Sequence, residues 1–169
     1  MRAAFSRPTA AGLKSPAHRQ PGKAALRLKR FVYQAERWLA ETKNGEILFA
    51  PHPIRLRPGK YREPDAMIWR SEHKDRMGER ESGPPDVVVE IISPGNEPHD
   101  IETKFREYAQ AGIPEYWIVQ PAARAISIYS LQDRAYRQAG HFVSGQLASS
   151  RVLAGFDIST ENLFGDEGQ

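Results

Sequence analysis

A single α/β domain, built on a mixed sheet flanked by helices, is what this sequence predicts, and three observations carry the prediction. The chain has 169 residues, the size of one ordinary domain. A nearly unbroken β-branched run, Asp86 to Ile92, is followed by a helical stripe of Ile101, Phe105, Tyr108 and Ala109 and then by a second apolar run, Pro114 to Val119. Strand, helix, strand in that order implies a right-handed crossover between parallel neighbours, while the short extended runs upstream are joined by tight turns that only antiparallel strands use. The sheet is therefore expected to be mixed.

The elements follow in order. From Ala24, the residues Leu28, Val32, Ala35 and Leu39 recur at helical spacing, Phe31 and Trp38 widen the stripe, and Asn44-Gly45 supplies a stop. Three short extended runs come next, Glu46 to Ala50, Pro53 to Arg57 and Glu63 to Trp69, with Pro58-Gly59 as a turn, and they read as a small antiparallel meander. Arg70 to Pro84 is charged and aperiodic, a loop. Asp86 to Ile92 has the composition of a central strand covered on both faces, and Ser93-Pro94-Gly95-Asn96 ends it. Asp100 is the expected N-cap of the second helix and Gly112 its C-terminal cap. Ala125 to Leu131 forms a further strand after the turn at Gln120 to Arg124, and the remainder holds another strand or two and a short closing helix.

Composition narrows the chemistry. There is no cysteine, which removes disulfides, thiolate zinc sites and cysteine nucleophiles together. The mean hydropathy of -0.60 and the lack of a long apolar run exclude a membrane-spanning helix, and with no signal peptide the expected compartment is the cytoplasm. The net charge of +3 hides an asymmetry. Residues 1–30 carry eight basic residues and no acid, so the other 139 carry 16 basic and 21 acidic residues, a net -5. The acid-free start holds Pro8, Gly12, Pro16, Pro21 and Gly22 and cannot bury much, so residues 1–20 are expected to form a basic tail and residues 21–169 one folded domain. The tail reads as a phosphate-seeking arm or as a solvated tail without a task; its prolines argue against a transit peptide. With the first helix it offers Lys23, Arg27 and Arg30 as phosphate contacts.

Walker, dinucleotide-binding, HExxH and GxSxG signatures are absent, and the five histidines lack ligand spacing. What stands out is a set of acids on apolar strands, where a charge is costly unless paired or bound to a cation. Glu90 interrupts Val87-Val88-Val89-Glu90-Ile91-Ile92. Period-two geometry puts Asp86, Val88, Glu90 and Ile92 on one face, with Asp86 about 13 Å from Glu90, too far to share one ion. Asp65 opens another strand and could converge with Glu90 across a ladder spacing of about 5 Å. Two converging carboxylates make a hard-cation site suited to magnesium. Asp86 reads instead as a paired acid at a strand start. Lys104, in the first turns of the second helix, lies at the edge of its apolar stripe and can lean toward the carboxylates; the plain alternative is a surface lysine paired with Glu107 or Tyr108. Glu36, on the first helix, is a candidate extra carboxylate or a solvated one.

An acid on one strand, a second on the next and a lysine close by is the arrangement of the restriction-endonuclease-like PD-(D/E)XK nucleases. The block Pro85-Asp86-Val87-Val88-Val89-Glu90-Ile91-Ile92-Ser93-Pro94, with Asp100 to Tyr108, Ala111-Gly112-Ile113-Pro114-Glu115-Tyr116-Trp117-Ile118-Val119 and Pro121, resembles the Uma-two family of restriction-endonuclease-like proteins, and Pro64-Asp65 resembles that family's first acid. The resemblance spans roughly residues 16 to 165. It implies a restriction-endonuclease-like core and a metal-dependent endonuclease that hydrolyses DNA phosphodiester bonds. It also implies Asp65 and Glu90 as ligands of magnesium or manganese, with Lys104 as the basic catalytic residue. A two-fold homodimer is common among enzymes that cut both strands. Ile92 stands where the superfamily usually has its lysine, and the family's strand before the first helix is replaced by the basic tail. Those departures keep a second reading open, a nuclease-like fold that no longer cuts and binds nucleic acid or protein.

Overall fold

The computed structural model describes residues 22–92 and 98–165. The basic tail and the turn Ser93 to Asn96 therefore lie outside the described residues. The first helix, α1 (Lys23–Thr42), buries Phe31, Val32, Ala35 and Leu39 and ends where Lys43 turns left-handed at φ 56°, its N–H bonded to Leu39 O. Gly45 has a different task from the stop read in the sequence. It opens β1 (Gly45–Phe49) against the neighbouring backbone, where a Cβ would come within 2.4 Å of Trp69 O.

β2 (Ile54–Arg57) and β3 (Lys60–Arg62) form a two-stranded ribbon apart from the main sheet, around a turn in which Gly59 has φ 72°, with Ile54 also bridged to Ser82. β4 (Ala66–Arg70) returns to pair antiparallel with β1. This corrects the expected meander. The run from Glu63 to Trp69 is broken at Pro64, which has no N–H for a ladder, so the ribbon of β2 and β3 separates from the main sheet. The aperiodic segment after β4 contains a 3₁₀ turn, Ser71–Arg76, and leads into β5 (Val87–Ile91), all of it buried. α2 (Pro98–Gln110) starts two residues before the expected cap, with proline in the first position of the helix, where its missing N–H costs nothing. Gly112, at φ 75°, closes it as expected, with Ile113 N bonded to Tyr108 O.

β6 (Glu115–Gln120) runs parallel to β5, and β7 (Ala125–Gln132) and β8 (Ala135–Val143) continue the sheet antiparallel. The six-stranded sheet has the order β1-β4-β5-β6-β7-β8, mixed as the sequence predicts. The C-terminal part holds more strand than expected: besides β8, β9 (Leu147–Ser149) and β10 (Asp157–Ser159) form a separate pair before the short helix α3 (Thr160–Phe164). Side chains alternate across β5. Val87, Val89 and Ile91 pack with Phe31, Trp117, Phe156 and Phe164 under α1, whereas Val88 packs with Met67, Trp69, Tyr108 and Tyr116 under α2. Two apolar layers thus sandwich the central strands. No helix among the described residues is long and apolar enough to cross a membrane.

Candidate active site

Glu90 belongs by period to the α2 side of β5, so this acid projects into the second apolar layer and retains 8% exposure. The pairing of β4 with β5 sets Ala66 opposite Val89 and Met67 opposite Val88. One step further along that register places Asp65 opposite Glu90, on the same face. The carboxylate of Asp65 accepts the N–H of Ile91 at 2.6 Å, replacing the ladder bond that β4 no longer makes there. The first acid is thus held by the backbone of the strand that carries the second.

From α2, Lys104 Nζ donates to Glu90 Oε2 at 3.1 Å and Tyr108 OH donates to Oε1 at 2.6 Å. Lys104 and Tyr108 are one helical turn apart, which puts both on the same side of α2 and lets one carboxylate meet both. Burial raises the pKa of Glu90 above the usual carboxylate value, against the opposing pull of Lys104 and Tyr108, and the charge of Asp65 pushes it up further. Burial likewise raises Asp65, opposed by the Ile91 N–H and by Lys104. Tyr108, buried and beside a carboxylate, is held far above its ordinary value and stays a protonated donor.

The structure therefore brings Asp65, Glu90 and Lys104 together. Tyr108, read in the sequence as part of the apolar stripe and as an alternative partner of Lys104, was missed as a donor to Glu90; its spacing of four from Lys104 was the available signal. Ile92 sits half-buried against the same layer, so a cation reaches Glu90 from the helix rather than along the strand. Other candidates go elsewhere. Asp86 is fully buried and bonded to Arg70 N at 2.8 Å, Arg70 Nε at 3.1 Å and His73 Nδ1 at 2.8 Å, the paired acid expected at a strand start. Glu36 lies with Lys43, Gly45, Glu46 and Lys74 at the far end of β1, opposite the end that pairs beside Asp65. α1 packs on the other layer, so Lys23, Arg27 and Arg30 are not brought to Glu90. Arg27 requires a correction. It is 3% exposed with its guanidinium 6.0 Å from the ring centre of Phe164, on the buried stripe four residues before Phe31, and it does not present itself to a phosphate. Arg30 reaches back to Leu163 O at 3.3 Å, while Lys23 is exposed.

Among the described residues, no group of three or more histidine, aspartate or glutamate side chains could hold a metal ion. A cation here would have two carboxylates as protein side-chain ligands, with the remaining positions left to carbonyl, water or phosphate oxygens. That donor set fits magnesium or manganese, which favour hard oxygens and keep part of their water. It also fits electrostatically, since two partly buried acids raised by burial gain from a positive charge between them.

A family model described as "Putative restriction endonuclease", Uma2, matches residues 16–161. The chain belongs to the Uma2 family. Membership supports a nuclease function for the protein. No curated protein matches the chain significantly. Among solved structures, the chain is similar to the crystal structure of "a putative nuclease belonging to DUF820" from Anabaena variabilis, with a TM-score of 0.67, 16% identity, and coverage of 85% of this chain and 81% of the other. At that identity the likeness establishes a shared fold, the mixed sheet flanked by helices.

Proposed function

We propose that this Uma2 protein is a metal-dependent endonuclease that hydrolyses phosphodiester bonds of DNA, with Asp65, Glu90 and Lys104 as its catalytic residues. The observation that carries the reading is the meeting of two carboxylates from adjacent strands with a lysine from α2 on one face of the sheet. Asp65 and Glu90 would hold magnesium or manganese. Within a strand, the N–H and C=O of a residue point to the same side. Ile91 gives its N–H to Asp65, so its carbonyl, on the same side of the strand, would supply a third oxygen.

An ion bound there would supply charge that neutralises the phosphate and would make water a better nucleophile at neutral pH. The chain's own residues do the rest. In the hydrolysis, a water oxygen forms a bond to phosphorus as one bond from phosphorus to a deoxyribose oxygen breaks; the attacking water's proton passes to bulk solvent, and the leaving deoxyribose oxygen takes a proton from another water to become a hydroxyl. Lys104, a cation paired with Glu90, cannot accept that proton; it orients the water or meets the negative charge growing on the phosphate. Tyr108 keeps Glu90 in one orientation. The test is nicking and linearisation of supercoiled plasmid with magnesium, manganese or chelator, comparing wild type with Glu90→Gln and Lys104→Ala. Cleavage that needs metal and is lost in both variants is expected. A cooperatively folded wild type that cuts under no metal would favour the non-cutting binding module.

A further inference from the structure

Beside the carboxylates the surface opens into a groove of about 420 Å³ lined by Pro53, Tyr61, Arg62, Glu63 and Lys104. Its size falls among small-ligand sites, roughly 300–1,000 Å³. One wall, Lys104, is the lysine that donates to Glu90, so an occupant of the groove lies one side chain from the candidate catalytic acids. The other wall is the ribbon of β2 and β3, and three sets of contacts seat it. Ile54 is fully buried and Leu56 nearly so. Lys60 Nζ and Arg62 Nε both reach Glu107 of α2 at 2.7 Å. Arg55 N donates to Ser82 O at 2.8 Å, and Ser82 N donates to Pro53 O at 3.0 Å.

What this fixed ribbon presents outward is Tyr61, 43% exposed, opposite Arg55 in the register and with Arg57 exposed nearby. Arg55 is engaged with Glu81 at 3.7 Å in a solvent-exposed pair. Tyr61 needs no exposed ring for the fold, since the ribbon is anchored through its other residues. An exposed aromatic ring on an anchored, basic ribbon offers a face to a nucleobase, and stacking is tolerant of sequence because every base has such a face. In an undistorted duplex those faces are hidden within the stack.

We propose that Tyr61 is a stacking platform for an unpaired nucleobase next to the scissile phosphate, so that the substrate class is DNA with a single-stranded or unstacked nucleotide at the cut site. This inference rests on the endonuclease reading above and names its substrate. Glu63 on the rim repels phosphate, so the backbone passes on the Lys104 side and the base lies on the Tyr61 side.

The test separates binding from cutting. Fluorescence anisotropy in chelator, with a labelled single-stranded oligonucleotide and a relaxed blunt duplex of the same sequence, is measured for wild type, Tyr61→Phe, Tyr61→Leu and Tyr61→Ala. Wild type is expected to favour the single strand, Tyr61→Phe to stay within about twofold, and the Leu and Ala variants to lose about fivefold or more on the single strand but not on the duplex. A 2-aminopurine probe should be quenched by wild type and Tyr61→Phe only. Equal single-strand affinity of wild type and Tyr61→Ala, a Tyr61→Leu variant as good as wild type, or no preference over duplex would each overturn the platform. Failure of the endonuclease reading looks different: stacking persists while no DNA is cut with any metal.

Discussion

Strand β5 and the residue before it carry two buried acids, Asp86 and Glu90, and the two ends of this short segment are built in opposite ways. Asp86 is surrounded by donors alone: Arg70 contributes its backbone N–H and guanidinium, His73 its ring N–H, and no second acid is among its partners. Glu90 also receives two donors, Lys104 and Tyr108, yet it shares its end of the strand with Asp65, whose charge works against it. The partners of Asp86 are Arg70, which also pairs with Glu72 at 2.9 Å, and His73. At Asp65 burial, and at Glu90 burial joined by the charge of Asp65, outweigh the donors, so both acids are left with raised pKa values that a cation relieves. A buried acid that is fully matched belongs to the fold; one that is overmatched by another acid is set up for a ligand.

The largest effect that tests this contrast is on cleavage. Glu90→Gln and Asp65→Asn each remove one of two side-chain ligands, and plasmid cleavage is expected to fall by about a thousandfold or more, with the folded structure retained. Asp86→Asn should leave the rate per folded molecule close to wild type. Comparable losses in all three variants would erase the distinction between the two ends of the strand. The next effect is on stability, and it reverses the order. Asp86→Asn leaves Arg70 and His73 partly buried without their carboxylate and is expected to cost about 3 kcal/mol in urea unfolding. Glu90→Gln should stay within about 1 kcal/mol of wild type without divalent metal. A carboxyl whose folded pKa is raised contributes most below its unfolded pKa and loses that contribution as pH rises through the folded value, so an ionised Glu90 is already a burden at neutral pH.

How much of this was readable in the chain depends on how local each signal is. The order of β5, α2 and β6 was legible because each element carries its own period, and Gly112 marks the end of α2 in the way its positive φ requires. The pairing of β1 with β4 was not, because the ribbon of β2 and β3 intervenes and the sequence does not say which strand crosses over it. Asp65 and Glu90 stood out as acids at aliphatic strands, whereas Tyr108 was absorbed into an apolar pattern to which its ring does belong. Arg27 was misread by charge. It precedes Phe31 by four residues and so sits on the buried stripe, a position that period alone would have flagged. Glu115, fully buried on β6, also escaped; it accepts from Trp117 Nε1 and Ser150 Oγ at 2.7 Å and Arg151 N at 2.6 Å and ties the loop after β9 to the sheet.

A third effect sharpens the comparison through pH. Binding of magnesium to Asp65 and Glu90 requires both to be ionised, and both hold their protons above the usual carboxylate range. Calorimetric affinity is therefore expected to weaken on acidification at a higher pH than ordinary carboxylates would cause, by up to about tenfold per unit for each group titrating, with protons released on binding. Affinity that is flat down to the ordinary carboxylate range would place the ion elsewhere.

The smallest effect concerns the helix that completes the site. Tyr108→Phe keeps the ring and its packing against Tyr116 and removes only the hydroxyl that donates to Glu90 Oε1. Two consequences follow from that one lost hydrogen bond. Glu90 is freer to turn, which should lower cleavage by about tenfold, the scale seen when a partner that orients a metal ligand is removed. The bond also favours the ionised carboxylate, so without it the pKa of Glu90 rises further and the acidic limb of the pH–rate profile should move to higher pH. A purely structural tyrosine would change stability and leave that limb where it is. The profile, not the rate alone, thus decides whether α2 positions the acid or merely covers it.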